Sequence, residues 1–393
     1  MKERVLIAGA GPVGLVAAAS LVRHGVPVTV LEAGSDLSEE SRASTFHPPT
    51  LDMLDELGAA QPLIAQGLTA PRFQYRSKRQ GVLGGFDFSA IADATRHPYR
   101  VQCEQSRLTR ILAGQLRGNS SFELQFNSPV RQVTQDGAGV EVVIERRGRS
   151  ESCAGRWLIG ADGAGSDVRR ALGIAFQGFT WPERFLVLST PFDFRTVIPD
   201  LVEVSYVADP VRWHFLLQIP GLCRVMFPIA AGESDELALT PDFAQSLMAT
   251  IVPGISDYEI AHVTLYKVHQ RVAKTFQVGR VFLAGDAAHI NNPLGGMGMN
   301  GGIHDAMNLT SRLAAVCNGS KPEGELERYD RQRRLVTLEY IEMQSIQNKR
   351  NLESDGLRFG EELRHIAADE RRTRDYLLRV SMIASLRRAQ ELG

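Results

Sequence analysis

Cysteine is scarce in this chain: Cys103, Cys153, Cys223 and Cys317 stand singly along 393 residues. Without a CxxC pair, neither a zinc site nor a dithiol redox centre is expected; no metal is expected at all, and the thiols read as ordinary ones in a reducing compartment. An excess of one charge is also missing, since 44 Lys and Arg face 45 Asp and Glu for a formal net charge of -1. No basic block invites nucleic acid or an anionic membrane surface, so the partner expected is a small molecule. Apolar runs stay far short of a membrane span. Met1 to Arg4 lead straight into one such run without the layout of a secretory signal, and the expected location is the cytoplasm. Fixed-period repeats and low-complexity tracts are absent as well.

What is present is a balanced composition, 44% hydrophobic and 23% charged, enough for one large or two medium globular domains. The first 32 residues divide cleanly. "RVLIAG" suits a strand buried on both faces, "GAGPVG" is a glycine turn, "LVAAASLVRHG" reads as a helix closed by Gly25, and "VPVTVLE" is a second strand. This βαβ unit carries Gly9, Gly11, Pro12, Val13 and Gly14, and its second strand ends at Glu32 and Ala33, with Glu32 lying 18 residues beyond Gly14. Glycines there admit a pyrophosphate to backbone amides and a helix N-terminus, and the carboxylate is placed to accept hydrogen bonds from a ribose. A dinucleotide site follows. Just beyond it, Arg42 suits a phosphate contact.

Two more strand–turn–helix units follow. "RWLIGADGAGSDVRRALGI" runs from a strand to Asp162 and Gly163, with Ser166 as the helix cap and Gly173 as its end. "RVFLAGDAAHINNPLGGMGMNGGIHDAMNL" reaches Gly285 and Asp286, then a glycine-rich loop and a helix. Strand ends of this kind converge on one crevice in open α/β sheets. Between these units, "LVEVSYVAD", "VRWHFLLQI", "CRVMFPIA" and "IAHVTLYKVHQ" alternate or carry aromatics between Pro, Gly and Asp, as antiparallel strands do. Residues 320–393 are rich in Glu, Arg and Leu and read as helical.

Together, "GAGPVGLVAAASLVRHGVPVTVLE", "GADGAGSDVRRALG" and "GRVFLAGDAAHINNPLGGMGMNGGIHDAMNL" resemble the single-component FAD-dependent aromatic hydroxylases, the para-hydroxybenzoate hydroxylase class, over roughly the whole chain. The resemblance implies an α/β fold in which an FAD-binding Rossmann-like βαβ domain (1–75, 100–176 and 277–340) carries an inserted, mainly antiparallel β-sheet substrate domain (76–99 and 177–276). A C-terminal helical region (341–393) completes it. It implies that Gly9, Gly11, Gly14 and Glu32 bind the ADP half of FAD. Arg42 and Gln105, in "CEQSRLTRIL", reach the pyrophosphate or ribityl region, and Asp286 takes the ribityl chain. Asp162 sits in a motif linked to both FAD and NAD(P)H. Pro293 presents its carbonyl to the reacting ring, and Gly298, Met299 and Asn300 open a helix toward the flavin pyrimidine. Free N–H groups at that helix start suit the charge that reduction places there, and Gly295, Gly296 and Gly298 keep the backbone slim beside the ring.

The activity implied is monooxygenation: NADH or NADPH reduces FAD, dioxygen forms a flavin hydroperoxide, and one oxygen passes to a phenolic or heteroaromatic ring. Only one GxGxxG is present, so the nicotinamide cofactor is expected to bind transiently. In "VRWHFLLQI", alternation places Trp213, Phe215 and Leu217 on one face and Arg212, His214 and Leu216 on the other. His214 is a candidate to polarise a substrate hydroxyl; Tyr206, Arg224 and Tyr75 are candidates to contact a phenol or carboxylate. The same frame supports alkene epoxidation and isoprenoid double-bond reduction. A redox-sensing flavoprotein and a plain NAD(P)-dependent dehydrogenase are further alternatives, and a halogenase is disfavoured because "WHFLLQIP" lacks the WxWxIP pattern. A monomer or homodimer is expected.

Overall fold

The computed structural model describes residues 4–39, 43–146, 148–354 and 356–392. The apolar run at the N-terminus becomes strand Val5–Ala8, buried along its whole length as a central parallel strand must be. Helix Pro12–Arg23 returns over it to strand Val28–Leu31, and the two strands pair in parallel. On the other side, Val5–Ala8 pairs in parallel with Trp157–Gly160, which pairs in parallel with Val281–Leu283. The strands that carry the three glycine-acid turns are therefore consecutive neighbours. Gln277–Val278 and Phe122–Gln125 complete this six-stranded sheet.

An eight-stranded sheet runs in the order His289–Ile290, His262–Ala273, Phe176–Thr190, Leu222–Ile229, His214–Ile219, Val204–Ala208, Arg72–Ser77, Gly81–Asp87. Its pairings are antiparallel except one: Val204–Ala208 runs parallel to Arg72–Ser77. The expected boundary between residues 75 and 76 thus falls inside a strand, because "RFQYRS" alternates well enough to join the substrate-side sheet whole. A three-stranded meander, Val130–Gln135, Val140–Arg146 and Arg149–Gly155, also lies inside the segment expected to be cofactor-binding. A second small sheet puts Arg100–Gln102 between Thr45–Phe46 and Leu68–Ala70.

One face of the eight-stranded sheet is covered by the C-terminal helices Leu357–Ala367, Glu370–Val380 and Ile383–Glu391, whose Phe359, Leu363, Tyr376, Leu377 and Ile383 pack on Phe73, Tyr75, Tyr206 and Met226. The opposite face has a separate core around Leu216, Val225 and Phe227. No helix among the described residues is long and apolar enough to cross a membrane.

Candidate active site

Strand Val5–Ala8 ends at Gly9, whose φ of +100° and whose neighbour, the Ala161 carbonyl oxygen at 2.5 Å from any added Cβ, both demand glycine. A Cβ on Gly14 would lie 2.0 Å from the Gly9 carbonyl oxygen. These two glycines serve the fold, letting helix Pro12–Arg23 press against the strand end. At Gly11 an added Cβ would meet nothing within 4 Å. Open room there, at the start of a helix whose cap residue makes no side-chain cap bond, suits a pyrophosphate approaching the amides. Ala10 and Gly34 N–H groups each donate to the Glu32 carboxylate at 2.7 Å, which fixes that carboxylate at the strand end beside exposed Ala33.

In the second turn, Asp162 accepts from the Ser166 hydroxyl at 2.5 Å and from the Val168 amide at 3.0 Å. Both its oxygens tighten the turn over Gly163, and burial raises its pKa while these bonds oppose the rise. The third turn is packed on the first helix: a Cβ on Gly285 would meet Val13 at 2.8 Å, and one on Gly302 would meet Val13 at 2.6 Å. Arg169 bridges turns two and three by donating to the Ala164 and Ala287 carbonyls, both at 2.8 Å. Asp286 is exposed at this edge.

Beneath the third turn lies a buried ionic group that sequence reasoning passed over. Asp305 accepts from the Gly285 amide at 3.1 Å, is bonded to His289 at 2.7 Å, and accepts from Arg333 Nε at 2.7 Å. Burial alone would raise the Asp305 pKa; the charges and hydrogen bonds of His289 and Arg333 instead hold it below the usual carboxylate range. Asp305 and His289 stood in the quoted third motif, but Arg333 lies on a distant helix and gave no local signal.

The glycine-rich loop follows. Gly295 and Gly296 have φ of +100° and +67°, and Gly296 caps helix Met297–Cys317 without a side-chain cap bond. Asn300 uses its side chain inward: it donates to the Thr45 and Gly296 carbonyls at 2.8 and 2.6 Å and accepts from the His47 amide at 2.9 Å. It thus clamps strand Thr45–Phe46 to the helix start, while half-buried Gly298, Met299 and Pro293 remain beside it. Arg42 lies outside the described residues.

On the covered face of the eight-stranded sheet, the register aligns Tyr75, Tyr206, Phe215 and Met226 in one transverse row. Tyr75 and Tyr206 rings stack 5.2 Å apart, and the Tyr376 hydroxyl donates to that of Tyr75 at 3.4 Å. Burial raises the pKa of Tyr75 and lifts that of Tyr376 to about 12. Arg224 projects from the same face one row along and donates to Glu104 at 2.9 Å, which precedes helix Gln105–Leu116. Arg224 thereby ties this face to the start of the helix that carries Gln105, with Tyr206 on the same face. His214 is not. Its expected role is corrected here: it packs on Phe227, on the other face, where burial lowers its pKa to about 3. Alternation separated it from Phe215 correctly but could not say which face the helices would cover.

Comparison with known proteins gives a consistent picture. Residues 2–344 match the family model described as an FAD binding domain. The chain is 35% identical over 343 residues to para-nitrophenol 4-monooxygenase of Pseudomonas sp. (strain WBC-3), covering 86% of this chain and 84% of that protein. It is 35% identical over 358 residues to 6-hydroxy-3-succinoylpyridine 3-monooxygenase HspB of Pseudomonas putida (strain DSM 28022 / S16), covering 90% and 89%. Its fold superposes on the crystal structure of p-nitrophenol 4-monooxygenase PnpA from Pseudomonas putida DLL-E4 with a TM-score of 0.92, at 30% identity and 98% coverage of each chain.

Proposed function

Because the chain belongs to the FAD-dependent aromatic hydroxylases, we propose that it hydroxylates a small phenol or hydroxypyridine, using NADH or NADPH and dioxygen, as a cytoplasmic monomer or homodimer. It is an FAD-dependent monooxygenase, and the substrate class takes its support from relatives named for nitrophenol, a hydroxypyridine and pentachlorophenol. The observation that carries the reading is the meeting of two surfaces. Three neighbouring parallel strands bring their glycine-acid turns to one edge, and a tyrosine-bearing apolar face adjoins it through Arg224 and Glu104.

FAD, when bound, supplies a hydride acceptor and the activation of dioxygen. The amides of Gly11 and Val13, on either side of Pro12, would hold its pyrophosphate, with Gly9 and Gly14 shaping the turn. Glu32 and Ala33 would take the adenosine ribose, Gln105 and Arg42 the pyrophosphate or ribityl region, Asp286 the ribityl chain, and Asp162, Gly163 and Gly285 the floor of the crevice. Pro293, Gly296, Gly298, Met299 and the Asn300 backbone would border the ring. Two uncapped helix starts, at Gly11 and Gly296, fit this group because both offer backbone donors with no side chain spent on them.

The chain's own part in the chemistry is to place the substrate ring, exclude water and hold a proton where it is needed. Tyr75 and Tyr376 stay protonated across the neutral range, and with the Tyr376 hydroxyl donating to Tyr75 it is the Tyr75 hydroxyl that donates to a phenolic oxygen. That interaction favours the ionised, electron-rich form of the ring. Tyr206 and Arg224 contact the substrate from the same face, and Pro293 limits its approach.

Aerobic oxidation of NADH and NADPH by the FAD-loaded protein, across nitrophenols, chlorophenols, hydroxybenzoates and hydroxypyridines with product masses read in parallel, tests this. A ring compound that speeds oxidation and gains one oxygen atom is the expected result. Flavin reduction with no oxygenated ring compound would move the assignment to alkene or isoprenoid substrates.

A further inference from the structure

Arg100 is 2% exposed, yet its Nε and Nη1 have no hydrogen-bond partner among the described residues. Its guanidinium lies 4.6 Å from the Phe73 ring centre and 5.3 Å from that of Phe88. Those rings soften the loss of water around a cation but do not supply an acceptor. A buried guanidinium with unused N–H groups is costly unless a negatively charged oxygen meets it.

The surroundings say where that oxygen would come from. Phe73 is edge-on to Tyr75 at 6.1 Å and stacked with Tyr376 at 6.4 Å, so Arg100 borders the tyrosine pair. On its other side, the pairing of Phe46 with Val101 brings His47 alongside Arg100 on the small sheet. His47 Nε2 donates to the Gly295 carbonyl at 2.8 Å, two residues beyond Pro293. Its Nδ1, an acceptor in that tautomer, is buried and unpartnered too. Burial, and next the charge of Arg100, keep His47 neutral. An unpaired cation, a neutral acceptor and two tyrosine hydroxyls therefore gather between the loop that would border the flavin and the aromatic row. The pyrophosphate cradle at Gly11 is a different place, at the end of the parallel sheet.

Resting on the hydroxylase reading, we propose that Arg100 anchors an anionic oxygen carried on the substrate ring, as a phenolate or as a ring carboxylate. It is a specificity-determining residue: neutral arenes and aryl ethers leave its donors unmet and bind weakly, and ionised rings bind well. A site that leaves a buried donor unpaired discriminates more sharply than an apolar pocket that misses a methylene.

The test uses FAD-loaded parent, Arg100→Met and Arg100→Lys, with FAD content and thermal midpoint measured first. Binding is followed by the change in flavin absorbance on titration with 4-nitrophenol, 4-nitroanisole, 4-hydroxybenzoate and 4-methoxybenzoate. Arg100→Met is expected to keep its FAD and to bind at least one anionic ring more than about tenfold more weakly, with 4-nitroanisole unchanged. Arg100→Lys restores part of the loss. A loss for 4-nitrophenol but not 4-methoxybenzoate identifies the phenolate; a similar loss for both benzoates identifies the carboxylate. Equal weakening of 4-nitrophenol and 4-nitroanisole, or unchanged binding of all four, would overturn the proposal. If Arg100→Met does not fold or does not retain FAD, Arg100→Lys decides: anion binding weakened more than ether binding supports the anchor, and no difference refutes it. Hydroxylation by the parent is read separately, so a failed anchor is distinguishable from a failed hydroxylase assignment.

Discussion

At the parallel-sheet edge, what would hold FAD is largely backbone: amides at two uncapped helix starts, glycines that keep Cβ atoms away, and a carboxylate pinned by two N–H groups. The aromatic face is side chain throughout, with Tyr75, Arg100, Tyr206, Arg224 and Tyr376 drawn from widely separated segments. Backbone surfaces are set by local spacing and tolerate few changes in shape. Side-chain surfaces are set by packing and can change specificity while the frame persists.

The largest effect expected is at the edge. Gly14→Val puts a branched side chain where even a Cβ lies 2.0 Å from the Gly9 carbonyl oxygen, so retained FAD per chain after gel filtration should fall more than about tenfold, an overpacking effect of ~1–3 kcal/mol or more. A variant as yellow as the parent would break the claim that this edge is shape-limited. Asp305→Asn comes next, because it leaves Arg333 buried without its counter-charge, and urea unfolding at neutral pH should show a loss of about 3–5 kcal/mol. The sign with pH follows from the depressed Asp305 pKa: its contribution is complete above the ordinary carboxylate value and is lost only as pH falls through the folded one. The parent should therefore keep this contribution throughout the neutral range.

The histidines set a smaller effect of the same direction. His47, His214 and His304 are buried with lowered pKa values, the last two at about 3, so the unfolded chain takes up protons that the folded one refuses. Stability should fall as pH drops below the ordinary histidine value, by about 2 kcal/mol for each of His214 and His304 between about pH 7 and pH 5, with His47 acting in the same direction. His214→Gln should reduce that slope by one histidine's share and leave product formation unaltered; a drop in kcat with binding intact would return His214 to the chemistry. Smallest is Tyr376→Phe, which removes one hydroxyl from the tyrosine pair and should cost about 1 kcal/mol by urea unfolding. Its turnover with phenols should suffer more than its stability, which sharpens the contrast between frame and face.

The edge was legible in the sequence because its determinants are short-range. Gly9, Gly14, Glu32, Ser166 and the order of three strand–turn units are all set within a few tens of residues. Even there, spacing alone did not separate Gly9 and Gly14, which serve the fold, from Gly11, which leaves room, nor show that Asp162 and Asn300 spend their side chains on the protein. The face was legible only in part. Alternation placed Phe215 and His214 on opposite sides, but which side lay beneath the helices depended on residues 357–391, well over a hundred positions away. Arg100 gave no signal because its interest lies in a missing partner, and absence of a partner exists only in three dimensions.

The lone parallel pairing in the eight-stranded sheet, Val204–Ala208 against Arg72–Ser77, has a consequence for the order of assembly. Gln74 and Ser205, which bond across it, are 131 residues apart, and the intervening chain includes the Phe122–Gln125 and Trp157–Gly160 strands of the other sheet. Closing so long a loop carries an entropic cost that falls once the chain between has compacted. The first βαβ unit, where Val5 pairs with Val28 across a far shorter loop, should accordingly form first on refolding, with hydrogen-exchange protection at Val5–Ala8 appearing before protection at Val204–Ala208. The chain would thus acquire its grip on cofactor before it acquires its choice of substrate.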